Sequence, residues 1–240
     1  MKLTWLGQAG YAVVCENGLR ILIDPYLSNS LEETQGASFH REVPLRPSLL
    51  LEPPDVLAIT HEHADHMDFA TLDALLAHGP AQTVLAPLNV WRAVRARCGG
   101  AHNYVMFDPG IEVTVRGVRF RSVPAAHSDE RAVGVVVADG PTLLYHTGDT
   151  LYRRDLPGWI DTRPDAMIFP INGKGNNMNG ADAARLVKAV KPRTALPMHW
   201  DLFKAYGCDP RDFTDEMADA PDIRILIPRH YEEFEMIHNR

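Results

Sequence analysis

Within six positions, "HEHADH" places His61, His63, Asp65 and His66 directly after the apolar run "DVLAIT". Imidazoles and carboxylates crowded this closely repel when protonated, yet together they form a donor set for a divalent cation. His61 and His63 are two positions apart, so in an extended segment both point the same way. Asp65 and His66 follow where the chain turns into a helix, and they can aim at a second, adjacent ion. Three further candidates lie far away, each at the end of an expected strand: His127 after "RFRSVPAA", Asp149 in "LLYHTGDT" and His199 in "ALPMHW". A single histidine at a strand end is usually an ordinary polar residue, and a lone "GDT" is usually a turn. The cluster changes their weight, because the first segment alone supplies only four ligands. Together the seven residues suit two metals: His61, His63 and His127 on one, Asp65, His66 and His199 on the other, with Asp149 as the bridge. Two cations sharing a water would make it a hydroxide near neutral pH, the nucleophile of a metal-dependent hydrolase. Nitrogen and oxygen ligands without thiolate suit Zn2+, Mn2+ or Fe2+.

Loops hold such a constellation only where rigid elements fix their starting points. "KLTWLG", "YAVVCEN" and "RILIDPY" read as three short strands, with "ENG" as a tight turn between the second and third. "DVLAIT" is a buried strand ending at Thr60. "MDFATLDALLAHG" has helical spacing and "GP" stops it. "QTVLAP" is a strand and "LNVWRAVRARCG" a helix. "YVMF", "IEVTVRG", "VRFRSVPA", "AVGVVVADG" and "PTLLYHTG" follow as strands. "DAMIFPING" is a strand running into a Gly/Asn-rich loop, "GADAARLVKAVKP" an amphipathic helix, and "TALPMHW" a strand. "DPRDFTDEMADA" is a short helix, with "IRILIP" and "EEFEMI" as final strands. Two mixed halves of this kind predict an α+β architecture, a four-layer αββα sandwich forming a single domain over residues 1–240. Residues 27–54 have no clean period and hold four prolines. A loop this long in a compact domain is usually functional or disordered, which makes it a candidate lid.

Composition narrows the partners. The net charge is −7 and no run of Lys or Arg exceeds two, so the basic stripe of a phosphate-backbone binder is missing. Nucleic acid is not expected as a partner, and neither is a membrane, since no long apolar run or leader is present. Cys15, Cys98 and Cys208 show no metal or disulfide spacing, which points to a reducing, cytoplasmic setting. A small-molecule substrate is expected, and a homo-oligomer stays open.

"HEHADH" resembles the HxHxDH motif of the metallo-β-lactamase superfamily at all four ligand positions. His127, the Asp149 of "TGDT" and His199 match its remaining ligand motifs in order, and "ILIDP" resembles the family's early strand. The resemblance spans essentially the whole chain and implies the metallo-β-lactamase fold with Asp24 beneath the site. "ALPMHWDLFKAYGCDPRDF" and "IFPINGKG" look most like the branch of ascorbate-6-phosphate lactonases, which implies Mn2+, whereas the wider superfamily implies Zn2+. Di-iron redox members usually replace the second histidine of the motif with a carboxylate. His63 therefore favours hydrolysis of a lactone or ester, with a phosphodiesterase or nuclease, or a non-hydrolytic redox protein, as alternatives. Asp65 and Asp149 are the catalytic candidates, and Asp65 could orient the water or pass a proton to the leaving group.

Other polar residues are read from their places. Asp24 is the best group to orient a liganding imidazole, or is a plain turn residue in "DPY", with Thr60 and Thr150 beside ligands. His146 shares no strand face with Asp149 and reads as a structural or edge histidine. Asn172 and Lys174, in the loop between Asn172 and Asn179, could bind an oxyanion or phosphate, or could be a turn with a solvated lysine. Arg41 and Arg46 could clamp an anionic substrate, or be solvated. Trp200 either walls the pocket or packs beside its neighbour. His40, His78, His102, His230 and His238 lack ligand spacing and are expected at the surface, with His40 set apart by its place in the candidate lid.

Overall fold

The structure is a computed structural model that describes residues 1–77 and 79–236, so His78 and His238 lie outside it. Strand residues alternate between two apolar destinations. In β1 (Lys2–Gly7), β2 (Gly10–Val14) and β3 (Arg20–Ile23), the odd-numbered Leu3, Trp5, Tyr11, Val13, Ile21 and Ile23 enter one core. Leu6 and Leu22 enter another, together with Leu57 of β4 (Val56–Ala58) and Val84 of β5 (Thr83–Ala86). A strand buried on both faces must carry apolar residues at nearly every position, which is why these runs read as continuous rather than alternating.

The first sheet has the order β14-β1-β2-β3-β4-β5-β6, where β6 is Asn103–Met106 and β14 is Glu233–Glu235. Helices α2 (Phe69–Ala77) and α3 (Leu88–Cys98) cover its outer face through Leu72, Leu75, Val90 and Val94. The second sheet has the order β13-β12-β11-β10-β9-β8-β7. It comprises β7 (Glu112–Val115), β8 (Val118–Pro124), β9 (Val133–Asp139), β10 (Thr142–His146), β11 (Ala166–Pro170), β12 (Thr194–Met198) and β13 (Arg224–Ile225). Helix α4 (Gly180–Val190) and the short α5 (Arg211–Thr214) close its outer face. Asn179 caps α4 by accepting from Asp182 N at 2.9 Å. The inner faces meet across Phe107, Phe120, Val135, Val137, Ile168 and Leu196. The expected four-layer sandwich is the observed one.

Several elements differ in extent. A six-residue helix, α1 (Ser30–Gln35), lies in the segment that showed no period, because fewer than two turns cannot display one. The expected helix over 209–220 is α5 followed by a separate 3-10 turn over Asp215–Met217. "IRILIP" pairs through only two residues. Among the described residues, no helix is long and apolar enough to cross a membrane.

Directionality decides where chemistry can sit. β3 and β4 run parallel, and β1 shares their direction because β2 is antiparallel to both β1 and β3. β10, β11 and β12 are parallel, and β8 shares their direction across the antiparallel β9. Ligand-bearing loops thus leave the same kind of strand end in both sheets, the edge where open sheets of parallel strands bind ligands. The loop after β10 requires Gly148, whose φ is +62° and whose added Cβ would lie 2.6 Å from Val133 O. Gly148→Ala is expected to destabilise the protein by about 2 kcal/mol or more, combining left-handed strain with backbone overlap. A lowered midpoint in urea unfolding checks this, and an unchanged midpoint would show that the loop relaxes freely.

Candidate metal centre

The loop after β4 carries His61 to His66, the loop after β8 carries His127, the loop after β10 carries Asp149, and His199 directly follows β12. Their donor atoms converge. Those of His61, His63 and His127 lie within 4.8 Å of one another, as do those of Asp65, His66 and His199, and those of His61, His66 and Asp149. The third group joins the other two, the position expected of a bridging carboxylate.

Hydrogen bonds behind the ligands fix the imidazole tautomers. His66 Nδ1 donates to Asp24 Oδ2 at 2.7 Å. Thr60 Oγ1 donates its single proton to Asp24 Oδ2 at 2.6 Å, so its oxygen accepts from His61 Nδ1 at 3.0 Å. His127 Nδ1 donates to Asn176 O at 3.1 Å. Each arrangement turns Nε2 toward the cluster. His63 is turned the other way, with Nε2 at 3.3 Å from Ser128 Oγ and Nδ1 at 3.1 Å from His127 Nε2. His199 Nδ1 meets the side-chain amides of Gln8 and Asn172 at 3.1 and 3.2 Å. Its Nε2 faces Asp149 Oδ2 at 3.1 Å and Asp65 Oδ2 at 3.3 Å.

Three buried atoms in the cluster have no hydrogen-bond partner: His61 Nε2, His66 Nε2 and Asp149 Oδ1. Leaving a buried polar atom unpaired costs about 1–3 kcal/mol. In each residue the second polar atom is engaged, for Asp149 through Oδ2, which accepts from Asn177 Nδ2 at 2.7 Å. The unpaired atoms are therefore the ones left for a cation, and the residues present fit a metal bound through nitrogen and oxygen.

Charge divides the centre. Burial, reinforced by His66, holds the His61 imidazole well below the usual histidine range, and burial lowers His127 too. At the other half, burial also opposes charge on His66, but Asp149, Asp65 and Asp24 overcome it and hold that ring well above its usual range. Burial lowers His199 in the same way, and Asp149 with Asp65 outweighs it, raising the ring to about 9. Burial pushes the Asp65 and Asp149 carboxyls up, and the neighbouring His66 and His199 pull them below the usual carboxylate range. In the metal-free chain, protons on these two histidines supply the positive charge that the carboxylates demand.

The remaining candidates take other places. Asn172 and Lys174 line the pocket beside the cluster. Arg41 does not. It is buried, and its guanidinium donates to Tyr26 O at 2.9 Å, Val43 O at 3.3 Å and Tyr231 Oη at 3.3 Å. The substrate-binding expectation for Arg41 is corrected accordingly, since its donors are turned into the protein. Arg46 lies over the Tyr231 ring at 4.3 Å. Trp200 stacks on Trp5 at 5.4 Å and is not among the residues lining the pocket. His146 sits in the middle of its sheet with no exposure, and its Nε2 donates to Ala9 O at 2.9 Å. His102 and His230 are not surface residues: His102 Nε2 donates to Leu76 O at 3.0 Å, and His230 stacks on Trp5 at 4.1 Å. His40 is exposed beside Glu32.

Sequence reasoning missed Gln8, Asn177 and Ser128. Gln8 Nε2 donates to Asp65 Oδ2 at 2.8 Å, and the residue sits at φ +50° after β1. Nothing in "LGQAG" distinguishes it from an ordinary turn. Asn177 lies in the loop already singled out, where Lys174 drew the attention.

The superfamily description "Beta-lactamase superfamily domain" matches residues 19–200. The metallo hydrolase of the archaeon Ignicoccus hospitalis KIN4/I shares the fold, with a TM-score of 0.79, 23% identity and 98% of each chain covered. Two UPF0173 metal-dependent hydrolases align over nearly the full length. The protein of Aeropyrum pernix is 30% identical over 98% of both chains, and that of Methanopyrus kandleri is 29% identical over 98% of this chain and 100% of its own. The chain belongs to the UPF0173 family of metal-dependent hydrolases within the beta-lactamase superfamily.

A metal entering beside Asp65 must displace protons from His66 and His199, both held above the usual histidine range, so affinity there rises as the pH rises through neutrality. His61 and His127 are already neutral at pH 7, and the half containing them binds without that release. Calorimetry at pH 7 in buffers of different ionisation heat is expected to show one metal binding with little proton release and another releasing at least one proton. Equal release for both metals would sink this division.

Proposed function

We propose that the protein hydrolyses a small carboxylic ester or lactone at a centre holding two divalent cations, Zn2+ or Mn2+. The observation that carries this reading is the set of three buried, unpaired donor atoms on His61, His66 and Asp149, each fixed by a hydrogen bond from behind. When bound, two such cations supply a hydroxide nucleophile near neutral pH and neutralise charge developing on the attacked oxygen. His61, His63 and His127 would hold one, Asp65, His66 and His199 the other, and Asp149 would contact both.

The chain's own groups set the geometry. Asp24 and Thr60 lock the rings of His66 and His61 against rotation. Asn177 holds Asp149 through Oδ2, which also faces His66 Nε2 at 3.4 Å and His199 Nε2 at 3.1 Å, and Oδ1 is left buried without a partner. Gln8 holds Asp65 through Oδ2. Asp65 lines the pocket, and its Oδ1 is the oxygen available to take a proton from the water and pass it to the leaving oxygen. No side-chain nucleophile is needed. The three free cysteines, among which no ligand cluster forms, fit a reducing cytoplasm.

A second reading takes a phosphorylated lactone, as the likeness to ascorbate-6-phosphate lactonases suggests, or a phosphodiester. It rests on Lys174, a cationic side chain in the pocket lining that keeps one N–H beyond the two given to Ala205 O and Gly207 O.

Metal analysis followed by a screen of lactones, carboxylic esters, thioesters and phosphodiesters tests the proposal. Two equivalents of metal are expected, with activity on lactones or esters lost on chelation and restored by Zn2+ or Mn2+. Cleavage of phosphodiesters alone would overturn it. Asp149→Ala is expected to lose most of its metal and at least ~100-fold in kcat/KM, a loss of roughly 2.7 kcal/mol in transition-state stabilisation. Full activity with one metal per chain would exclude the paired centre.

A further inference from the structure

The cavity beside the metal cluster, about 210 Å³, has two unlike walls. One presents the polar groups of Gln8, Asp65, Asp149 and His199, and the other presents Leu31, Phe39, Phe203 and Tyr206. The Phe39 and Tyr206 rings stack with centroids 4.8 Å apart, and Phe39 meets the edge of Phe203 at 5.5 Å. These side chains come from two distant segments, one at α1 and the turn after it, the other just beyond His199. An aromatic wall assembled from separate loops at a site mouth needs something to hold the loops together.

Three polar residues hold them. The Arg41 guanidinium ties its own segment to Tyr26 O, while the Arg41 backbone bridges to Phe203 and Glu42 N donates to Leu202 O at 2.9 Å. Lys174 Nζ donates to Ala205 O and Gly207 O, both at 3.0 Å. Asn172 Nδ2 donates to Tyr206 O at 3.1 Å. Three consecutive carbonyls, those of residues 205, 206 and 207, are thereby taken, and the Tyr206 ring between them is presented to the cavity.

We infer that this half of the cavity is a slot for a small apolar group on the substrate, a short alkyl chain or a single ring. Asn172, Lys174 and Arg41 are positioning residues of that slot and not a clamp for an anion. This rests on the hydrolase reading above and narrows it. Lys174 directs two of its three N–H groups to backbone carbonyls, Arg41 faces away, and the carboxylates of Asp65 and Asp149 share the lining. A phosphate group in the slot would find one free ammonium proton. An apolar ring would find aromatic faces, a buried leucine and a space below the ~300–1,000 Å³ typical of pockets for drug-sized ligands.

Calorimetry on the metal-loaded protein tests this with acetate and phenylacetate, product analogues that share a carboxylate and differ in the ring, and with glucose and glucose 6-phosphate. Phenylacetate is expected to bind at least ~10-fold more tightly than acetate, a difference of about 1.4 kcal/mol. That ratio should fall several-fold in Phe39→Ala. In Lys174→Met it should also fall, with acetate affinity unchanged, and Lys174→Arg should restore it by again reaching the two carbonyls. Glucose 6-phosphate should show no advantage over glucose. Equal binding of acetate and phenylacetate by the unaltered protein would overturn the slot. So would ~10-fold tighter binding of glucose 6-phosphate than of glucose, lost in Lys174→Met. Failure of the hydrolase reading is separate: it would appear as no ester or lactone turnover while the preference for phenylacetate persists.

Discussion

The carboxylate of Asp24 has no solvent exposure, and its partners are Thr60 N at 2.7 Å, Thr60 Oγ1 at 2.6 Å and His66 Nδ1 at 2.7 Å. Asp24 follows β3 and Thr60 follows β4, so these bonds join two neighbouring strand ends where the ligand loop begins its turn. A buried carboxylate without such partners would be severely destabilising; removing one side of a buried charged pair typically costs about 3–5 kcal/mol. The ring of His66 thus owes its orientation to the sheet itself, and through Thr60 the same carboxylate sets His61. Two candidate ligands are thus referenced to one carboxylate.

Around this anchor the molecule separates two tasks. Strand ends place the ligands, and side chains from behind set their tautomers. Loops that leave those strands build the pocket. Gln8, Asp24 and His199 all occupy left-handed backbone conformations, at φ +50°, +44° and +65°. A non-glycine residue in that region carries about 1–3 kcal/mol of strain. Three of them at one end of the sandwich show where the chain bends hardest to bring its polar groups inward. The positive charge that the carboxylates require, borne by His66 and His199 in the metal-free protein, keeps the cluster tolerable until a cation takes it over.

Much of this was legible in the sequence, for identifiable reasons. The apolar runs that became β4, β10 and β12 announced buried strands, and the four donors crowded into "HEHADH" gave weight to polar residues near the other strand ends, which alone read as ordinary polar residues or a turn. Helices α2, α3 and α4 are long enough to show their period. Helix α1 is not, so the segment around it looked shapeless, and its role as a wall is a matter of tertiary contact with Phe203 and Tyr206. Arg41 illustrates the limit. Charge and loop position suggested a ligand for an anion, but the carbonyl of Tyr26 and the hydroxyl of Tyr231 claim its donors, and neither is near it in sequence. Gln8 was invisible for the converse reason: an amide in a turn carries no spacing, and its meaning comes from Asp65, across the fold.

The strand β14 returns to pair with β1, matching Lys2 to Glu235 and Thr4 to Glu233, although the rest of the C-terminal half belongs to the second sheet. β14 is synthesised after every other described element and β1 before them. Throughout synthesis, then, β1 carries one unsatisfied edge, the kind of backbone template that recruits strands from other chains. Completing the sandwich is also what retires that hazard, so nascent chains halted before β14 should depend on chaperones more than finished ones.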